Sequence, residues 1–184
     1  MPLLRAEPMI SSESLFDNGQ TDATPWWVLY TVSRQEKQLC RHLLANGQSY
    51  YCPIIEKRYR SPGGRSRSSF LPLFPNYVFL RGNDDVRYQA VTTGCVSRAL
   101  PVADPVSFAA ELRQLHQLIA LGVPLTPEER LQAGMRVRVK TGPFAGLEGI
   151  VLKRHGERKL LVMVNVIQRG ASMELGDYEL EQIV

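Results

Sequence analysis

Cysteine is scarce and long apolar runs are missing. Cys40, Cys52 and Cys95 are odd in number and far apart. That spacing excludes a disulfide framework and points to reduced thiols in a cytoplasmic protein. The longest apolar run near the C-terminus is Leu160 to Val164, far short of the roughly 20 residues a spanning helix needs. The opening stretch MPLLRAEPMISSES is interrupted by Arg5, Glu7 and two prolines, so it lacks the apolar core of a signal peptide. His42, His116 and His155 are scattered one per segment, and no Cys/His pair has a ligand spacing, which argues against a zinc site. No Ser/His/Asp pattern, phosphate-loop glycine signature or paired carboxylate set is present. Neither a metal, a cofactor nor a catalytic centre is expected. There is no internal repeat.

What remains is an ordinary globular composition: 184 residues, 44% apolar and 22% charged. That length suits one or two domains. The net charge of +4 is unevenly spread. Residues 1–24 hold Glu7, Glu13, Asp17 and Asp22 against Arg5, are polar and lack periodicity, and read as a disordered acidic tail. Residues 25–121 hold twelve Lys and Arg against six Asp and Glu. The positive field therefore belongs to the middle of the chain, which allows a nucleic-acid or acidic partner.

The order of elements alternates between strand and helix chemistry. WWVLYTV after Pro25 is aromatic and β-branched, a strand. Ser33-Arg34-Gln35-Glu36 matches a capping box, opening a helix with Leu39, Leu43 and Leu44 on one face and Asn46-Gly47 at its end. QSYYCPII (48–55) is a second strand. Residues 56–70 carry Lys57, Arg58, Arg60, Arg65 and Arg67 around Pro62-Gly63-Gly64, the signature of a basic hairpin tip or loop. PLFPNYVFL (72–80) resumes strand chemistry, with a further short strand near Val96–Leu100. Asp104-Pro105 starts a helix in which Phe108, Leu112, Leu115 and Ile119 recur at helical spacing until Gly122. Residues 122–132 contain two prolines and no apolar period, a linker. From Met135 the period becomes two, and about 50 residues of short strands and tight turns predict a small β-barrel over 133–184.

Three stretches carry a family resemblance. WWVLYTVSRQEKQLCRHL, the FPNY strand with the following VTTGCVSRAL, and VKTGPFAGLEGIVLK together resemble the NusG family of transcription elongation factors, across residues 26–184. The last is similar to the KOW motif. The resemblance implies an α+β architecture: an NGN domain over 25–121, an antiparallel sheet flanked by helices, linked to an SH3-like KOW barrel over 133–184. It implies a factor that binds RNA polymerase on the β′ clamp helices, reaches toward the β gate loop and suppresses pausing. The KOW domain would dock a small-subunit ribosomal protein or the termination factor Rho. PLFPNYVFL resembles the RfaH-like specialised paralogues, which are recruited to particular operons through the non-template DNA strand. Some of these hold the C-terminal domain as a helical hairpin. Here Val137, Val139, Val151, Val162, Val164 and Val166 favour strands instead.

By this resemblance Tyr30, Phe74, Tyr77 and Phe79 line the polymerase-binding depression, joined by Leu112 and Leu115 on the second helix. Strand alternation and helix packing are served equally well by burial of all six in the core. Arg87, Tyr88, Gln89 and Ala90 fall where the family meets the gate loop. Arg34, Lys37, Gln38, Arg41 and His42 on the first helix, with Thr93 and the hairpin residues Arg58, Arg60, Arg65 and Arg67, are the candidate DNA contacts. A solvated helix face accounts for the first group as well. The four hairpin arginines repel one another unless an anion lies near. Ile167 is the candidate contact for the ribosomal protein or Rho. Two other functions compete: an RNA-binding, ribosome-associated KOW protein, which needs neither the WWVLYTV start nor FPNY, and an enzyme with an unrecognised site.

Overall fold

A computed structural model describes residues 8–16, 23–128, 134–154 and 157–183. The chain divides into two compact units, Met1–Val106 and Ser107–Val184.

The first unit is built on a four-stranded antiparallel sheet. Its strands are β1 (Trp26–Thr31), β2 (Ser49–Tyr51), β5 (Tyr77–Arg81) and β6 (Val96–Pro101), in the order β2-β5-β1-β6. β3 (Ile54–Arg60) and β4 (Ser66–Pro72) form a separate hairpin. The period of two sorts β1 onto two faces. Trp27 and Leu29 join Val78, Leu80 and Tyr50 on one of them. There they pack with Leu39, Cys40 and Leu43 of α1 (Glu36–Ala45) and with Val86 and Ala90 of α2 (Asp84–Thr92). The three cysteines are buried in that same layer.

The opposite face is aromatic. Trp26, Val28 and Tyr30 oppose Arg81, Phe79 and Tyr77 across the β1–β5 ladder. Phe79 lies 6.5 Å from Tyr51 and from Phe74, ring centre to ring centre.

Phe16 completes this cluster, edge-on to Tyr51 at 5.3 Å and stacked on Trp26 at 6.4 Å. That contact corrects the reading of residues 1–24 as a disordered tail. Ile10 bridges Tyr51, Met9 O accepts from Cys52 N at 2.7 Å, and Leu15 and Phe16 are buried. Residues 8–16 therefore close the exposed edge of β2 and contribute apolar side chains. Each such burial favours the fold by about 1.5–3 kcal/mol, enough to order a polar segment with two greasy residues. Residues 1–7 and 17–22 of the tail reading lie outside the described residues.

α1 begins differently from the expected capping box. The residue preceding it is Gln35, which makes no side-chain cap, and Arg34 adopts φ +62°. Glu36 bonds to Asn76 instead. Leu44, expected on the apolar face, is exposed. α2 was not anticipated. Asn83 caps it by accepting from Val86 N at 3.1 Å, and Asp84 and Asp85 occupy its positive first turn.

α3 (Pro105–Ala120) starts at the Asp-Pro signal as expected, and Gly122 follows it at φ +69°. Phe108, Leu112, Leu115 and Leu118 are its buried residues, and Leu118 takes the place expected for Ile119. The sequence reading placed this helix in the first domain, but from Ser107 onward it groups with the second unit.

The second unit wraps a six-stranded antiparallel sheet, ordered β12-β8-β9-β10-β11-β7. The strands are β7 (Thr126–Glu128), β8 (Met135–Val139), β9 (Glu148–Arg154), β10 (Glu157–Val164), β11 (Arg169–Glu174) and β12 (Leu180–Gln182). Val137, Val139, Leu160, Val162, Met173 and Leu175 share one core with Leu118 of α3. The described elements from Met135 to Gln182 are strands and one short helical turn rather than a helical hairpin, as the β-branching of the stretch favours. The linker read over 122–132 is partly strand. β7 pairs with β11, and buried Glu128 accepts from Ser172 Oγ at 2.7 Å. Its remaining residues 129–132 lie outside the described segments.

The Thr141–Gly146 turn of the KOW-like stretch follows from its glycines. Gly142 (φ +83°) and Gly146 (φ +91°) occupy left-handed positions, and a Cβ on Gly142 would sit 2.7 Å from the Tyr178 ring. Phe144 enters the core edge-on to Tyr178 at 5.4 Å.

Candidate functional site

A defined surface of the first unit forms where β1, β5 and α1 meet. Phe74-Pro75-Asn76-Tyr77 is a tight turn, with Tyr77 N donating to Phe74 O at 3.2 Å and Asn76 at φ +68°. Two bonds fasten Asn76. Its N–H donates to Glu36 Oε1 at 2.8 Å, and its carbonyl accepts from Thr31 N at 2.9 Å. The turn is thereby locked to the first residue of α1 and the last of β1.

That lock sets out Tyr30 and Tyr77 as a directly opposed pair, ring centres 5.3 Å apart and edge to face. Tyr30 is 39% exposed and Tyr77 is half-buried. Arg98 on β6 is Tyr30's partner on the other side and is exposed. The register gives all three one face, an aromatic pair beside a cation that can receive a half-apolar partner.

The other predicted polymerase contacts are placed elsewhere. Phe74 and Phe79 are enclosed in the aromatic layer, with no more than 1% of their surface accessible. Leu112 and Leu115 are fully buried and belong to the second unit.

Arg34, Gln38, Arg41 and His42 are exposed on and before α1, and Lys37 is half-buried. Thr93 sits at the end of α2. Its hydroxyl donates to Ala90 O at 2.7 Å and accepts from Cys95 N at 3.2 Å, so it is committed to closing the helix.

α2 presents Arg87, Tyr88 and Gln89 unequally. Arg87 pairs with Asp84 at 2.6 Å and lies over the Trp27 ring at 5.3 Å. The hydrogen bond to Arg87 lowers the Asp84 pKa, and Arg87's own is raised by the same bond. Gln89 Oε1 accepts from Gln48 Nε2 at 2.5 Å, whereas Tyr88 is 64% exposed. Ala90 is buried under the helix.

The basic hairpin projects as two paired strands, Arg58 opposite Ser68, Tyr59 opposite Arg67 and Arg60 opposite Ser66. Ser61 N donates to Arg65 O at 2.9 Å at the tip. Hydrogen bonds from Ser68 and then Arg58 lower the Glu56 pKa. Sequence reasoning found the charge but missed Tyr59, whose signal was its place among arginines at alternate positions.

In the second unit Ile167 is half-buried in the Asn165–Ile167 helical turn, followed by Gln168 at φ +53°. Among the described residues there is no group of His, Cys, Asp or Glu that could hold a metal ion, and no helix long and apolar enough to cross a membrane.

These features coincide with similarities to known proteins. The family model described as "Transcription termination factor nusG" matches residues 24–112. The Transcription termination/antitermination protein NusG of Pseudomonas aeruginosa is 25% identical over 180 residues, covering 88% of this chain and 99% of the relative. Its counterpart in Neisseria meningitidis serogroup B is 28% identical over 178 residues, covering 86% and 97%. A solved structure, "Domain interaction in Thermotoga maritima NusG", aligns over 90% of this chain and 100% of that one at 21% identity, with a TM-score of 0.46.

Proposed function

We propose that the chain is a member of the NusG family, whose model matches residues 24–112, and that it is a transcription elongation and antitermination factor that binds RNA polymerase through its first unit and suppresses pausing. The observation that carries the reading is the Tyr30–Tyr77 pair, held on the sheet face by the Glu36–Asn76 lock within the segment that the family model matches. A half-exposed aromatic pair next to Arg98 suits the tip of a helical coiled coil, because aromatic and Arg anchors dominate such interfaces. The partner on polymerase is the β′ clamp helices. The exposed Tyr88 beside Arg87 and Gln89 faces the β gate loop.

Recruitment to particular operons would come from the non-template DNA strand. The α1 residues Arg34, Lys37, Gln38, Arg41 and His42 and the hairpin arginines supply phosphate contacts. Thr93 contributes through its backbone neighbourhood, since its hydroxyl is occupied. The second unit docks a small-subunit ribosomal protein or Rho, with Ile167 at the contact.

The test uses full-length chain and polymerase core in a pull-down, then a pausing assay on templates with and without the neighbouring operon's leader. Retention on the isolated β′ clamp helices, lost in Tyr30→Ala with an unchanged circular dichroism spectrum, supports the reading. A chain that binds neither core enzyme nor elongation complex overturns it.

A further inference from the structure

The stretch read as a linker supplies the last strand of the second unit's sheet. β7 is three residues long and lies along β11, which has six. Its register sets Thr126 against Ser172, Pro127 against Ala171 and Glu128 against Gly170. Pro127 has no N–H, so the bonds of this ladder fall on the flanking pairs, Thr126 with Ser172 and Glu128 with Gly170. On the other side of β11, Leu175 N donates to Arg158 O at 2.9 Å. The alternation is consistent. Residues 171, 173 and 175 turn their backbone groups to β10, and residues 170, 172 and 174 turn theirs to the β7 side. Two positions before Thr126 the same register brings Pro124 to Glu174, and Pro124 has no N–H either. The two prolines thus confine β7 to part of the edge that β11 offers.

Side chains anchor this segment at two points. Glu128 is buried and accepts from Ser172 Oγ at 2.7 Å. Leu125, at the register position of Met173, packs against the second unit's core. Thr126 and Pro127, between the anchors, are exposed. A cleft of about 320 Å³ lies between Val123, Pro124, Phe144 and Met173, lined also by the cross-strand pair Lys159 and Glu174.

We propose that β7 is a removable guard, seated in cis on the β11 edge and displaced when an extended segment of a partner protein adds to that edge. A short strand carrying proline keeps an edge from pairing indiscriminately, yet holds it weakly. A proline-free segment places an N–H at the Pro124 position and bonds the Glu174 carbonyl, a bond that β7 cannot make. The side chains define the rest of the occupant. It needs an apolar residue at the Leu125 position, where the cleft has room for a larger side chain. It needs an acid three residues later for the Ser172 hydroxyl, because Ser172 is buried and costly to leave unpaired. The edge also begins two residues after Ile167, so a segment docked there runs on directly from that candidate contact.

Native-state hydrogen exchange on the full chain reads the guard directly. The Gly170 and Ser172 amides, which face β7, are expected to exchange about tenfold faster or more than the Ala171 and Met173 amides, which face β10. Equal rates at all four make β7 a permanent strand and overturn the proposal. Occupancy is read by anisotropy of a labelled peptide with this chain's own sequence 121–128 carrying Pro124→Val and Pro127→Val. That peptide is expected to bind the full chain. Thr126→Pro in the chain removes the N–H that meets Ser172, at an exposed position, and tightens peptide binding about three- to tenfold, the size of one or two backbone hydrogen bonds. Glu128→Ala removes the acceptor of the Ser172 hydroxyl and acts in the same direction, which keeps the test decisive if Thr126→Pro fails to fold. Adding Leu125→Asn to the peptide weakens binding about tenfold. A peptide that does not bind, or whose affinity ignores both chain variants, overturns the assignment.

The inference rests on the reading that the second unit docks a ribosomal protein or Rho, and the same preparations separate the two. Titration with purified small ribosomal subunits and with Rho measures that docking. Guard behaviour with no docking of either means that the docking reading fails and the guard stands. Docking that neither chain variant strengthens, with equal exchange at the four amides, means the reverse.

Discussion

The Glu36 carboxylate accepts the backbone N–H of Asn76 at 2.8 Å across forty residues of sequence. Glu36 is buried with 7% exposure, and Asn76 sits at φ +68°, a conformation that Asn tolerates better than most residues. One bond therefore fixes the start of α1, the turn at Asn76 and the placement of Tyr77 after it. Glu36→Ala is expected to destabilise the first unit by about 1.5–3 kcal/mol, since the bond involves a charged group and its loss strands a part-buried N–H. Glu36→Gln retains an acceptor and costs less. Urea denaturation, with hydrogen exchange at the Asn76 amide, measures both. Equal stability of Glu36→Ala and wild type would remove the lock from the account.

The aromatic residues separate into structure and surface. Phe79→Ala removes a fully buried ring and is expected to cost about 3–5 kcal/mol, enough to unfold much of the first unit. Tyr30→Ala removes a ring that is 39% exposed and leaves the thermal midpoint within a few degrees. Polymerase retention falls in both, but only Tyr30→Ala loses it while folded. Calorimetry beside the pull-down distinguishes the two. A folded Tyr30→Ala chain that still binds would remove Tyr30 from the interface.

Gly142 combines a left-handed backbone with a close steric approach. Its φ of +83° and the 2.7 Å approach of a Cβ to Tyr178 both oppose a side chain. Gly142→Ala is expected to destabilise that unit by about 1–3 kcal/mol. Amide resonances of residues 135–182 should shift and broaden while those of β1 and β5 hold. A stability equal to wild type would mean that the turn repacks freely.

The Asp84–Arg87 pair gives α2 a pH signature. The hydrogen bond from Arg87 lowers Asp84's pKa in the folded chain, so its contribution is complete above the unfolded carboxylate pKa, about 4, and disappears as pH falls through the lower folded value. Asp84→Asn should melt slightly below wild type at pH 7, and the gap should close in strong acid. The pair is surface-exposed, so the gap is small and shrinks with salt. A difference that widens on acidification contradicts the assignment.

Local chemistry announces some elements and conceals others. The β1 run, the Asp104-Pro105 start of α3 and the period-two stretch after Met135 are readable because each depends on neighbours within a few residues. The capping box failed because Ser33 and Glu36 satisfy a local pattern while a distant backbone N–H competes for the same carboxylate. Phe16 in a polar tail and Glu128 in a proline-bearing linker were missed for a related reason. Their partners, Tyr51 and Trp26 for the one and Ser172 for the other, come from remote strands. α2 carries a local signal in Asn83-Asp84-Asp85, a capping side chain followed by two acids in the first turn.

The candidate site divides along the same line. Sequence alone determined the strand and helix vocabulary, the basic charge of the hairpin and the left-handed glycine turns, because propensity, charge and φ belong to single residues or close neighbours. Only the tertiary structure decided that Tyr30 and Tyr77 share a surface while Phe74 and Phe79 are enclosed, and that residues 126–128 pair with β11. Strand register and packing between distant segments set which side chains meet solvent, and neither is encoded in any one stretch of chain.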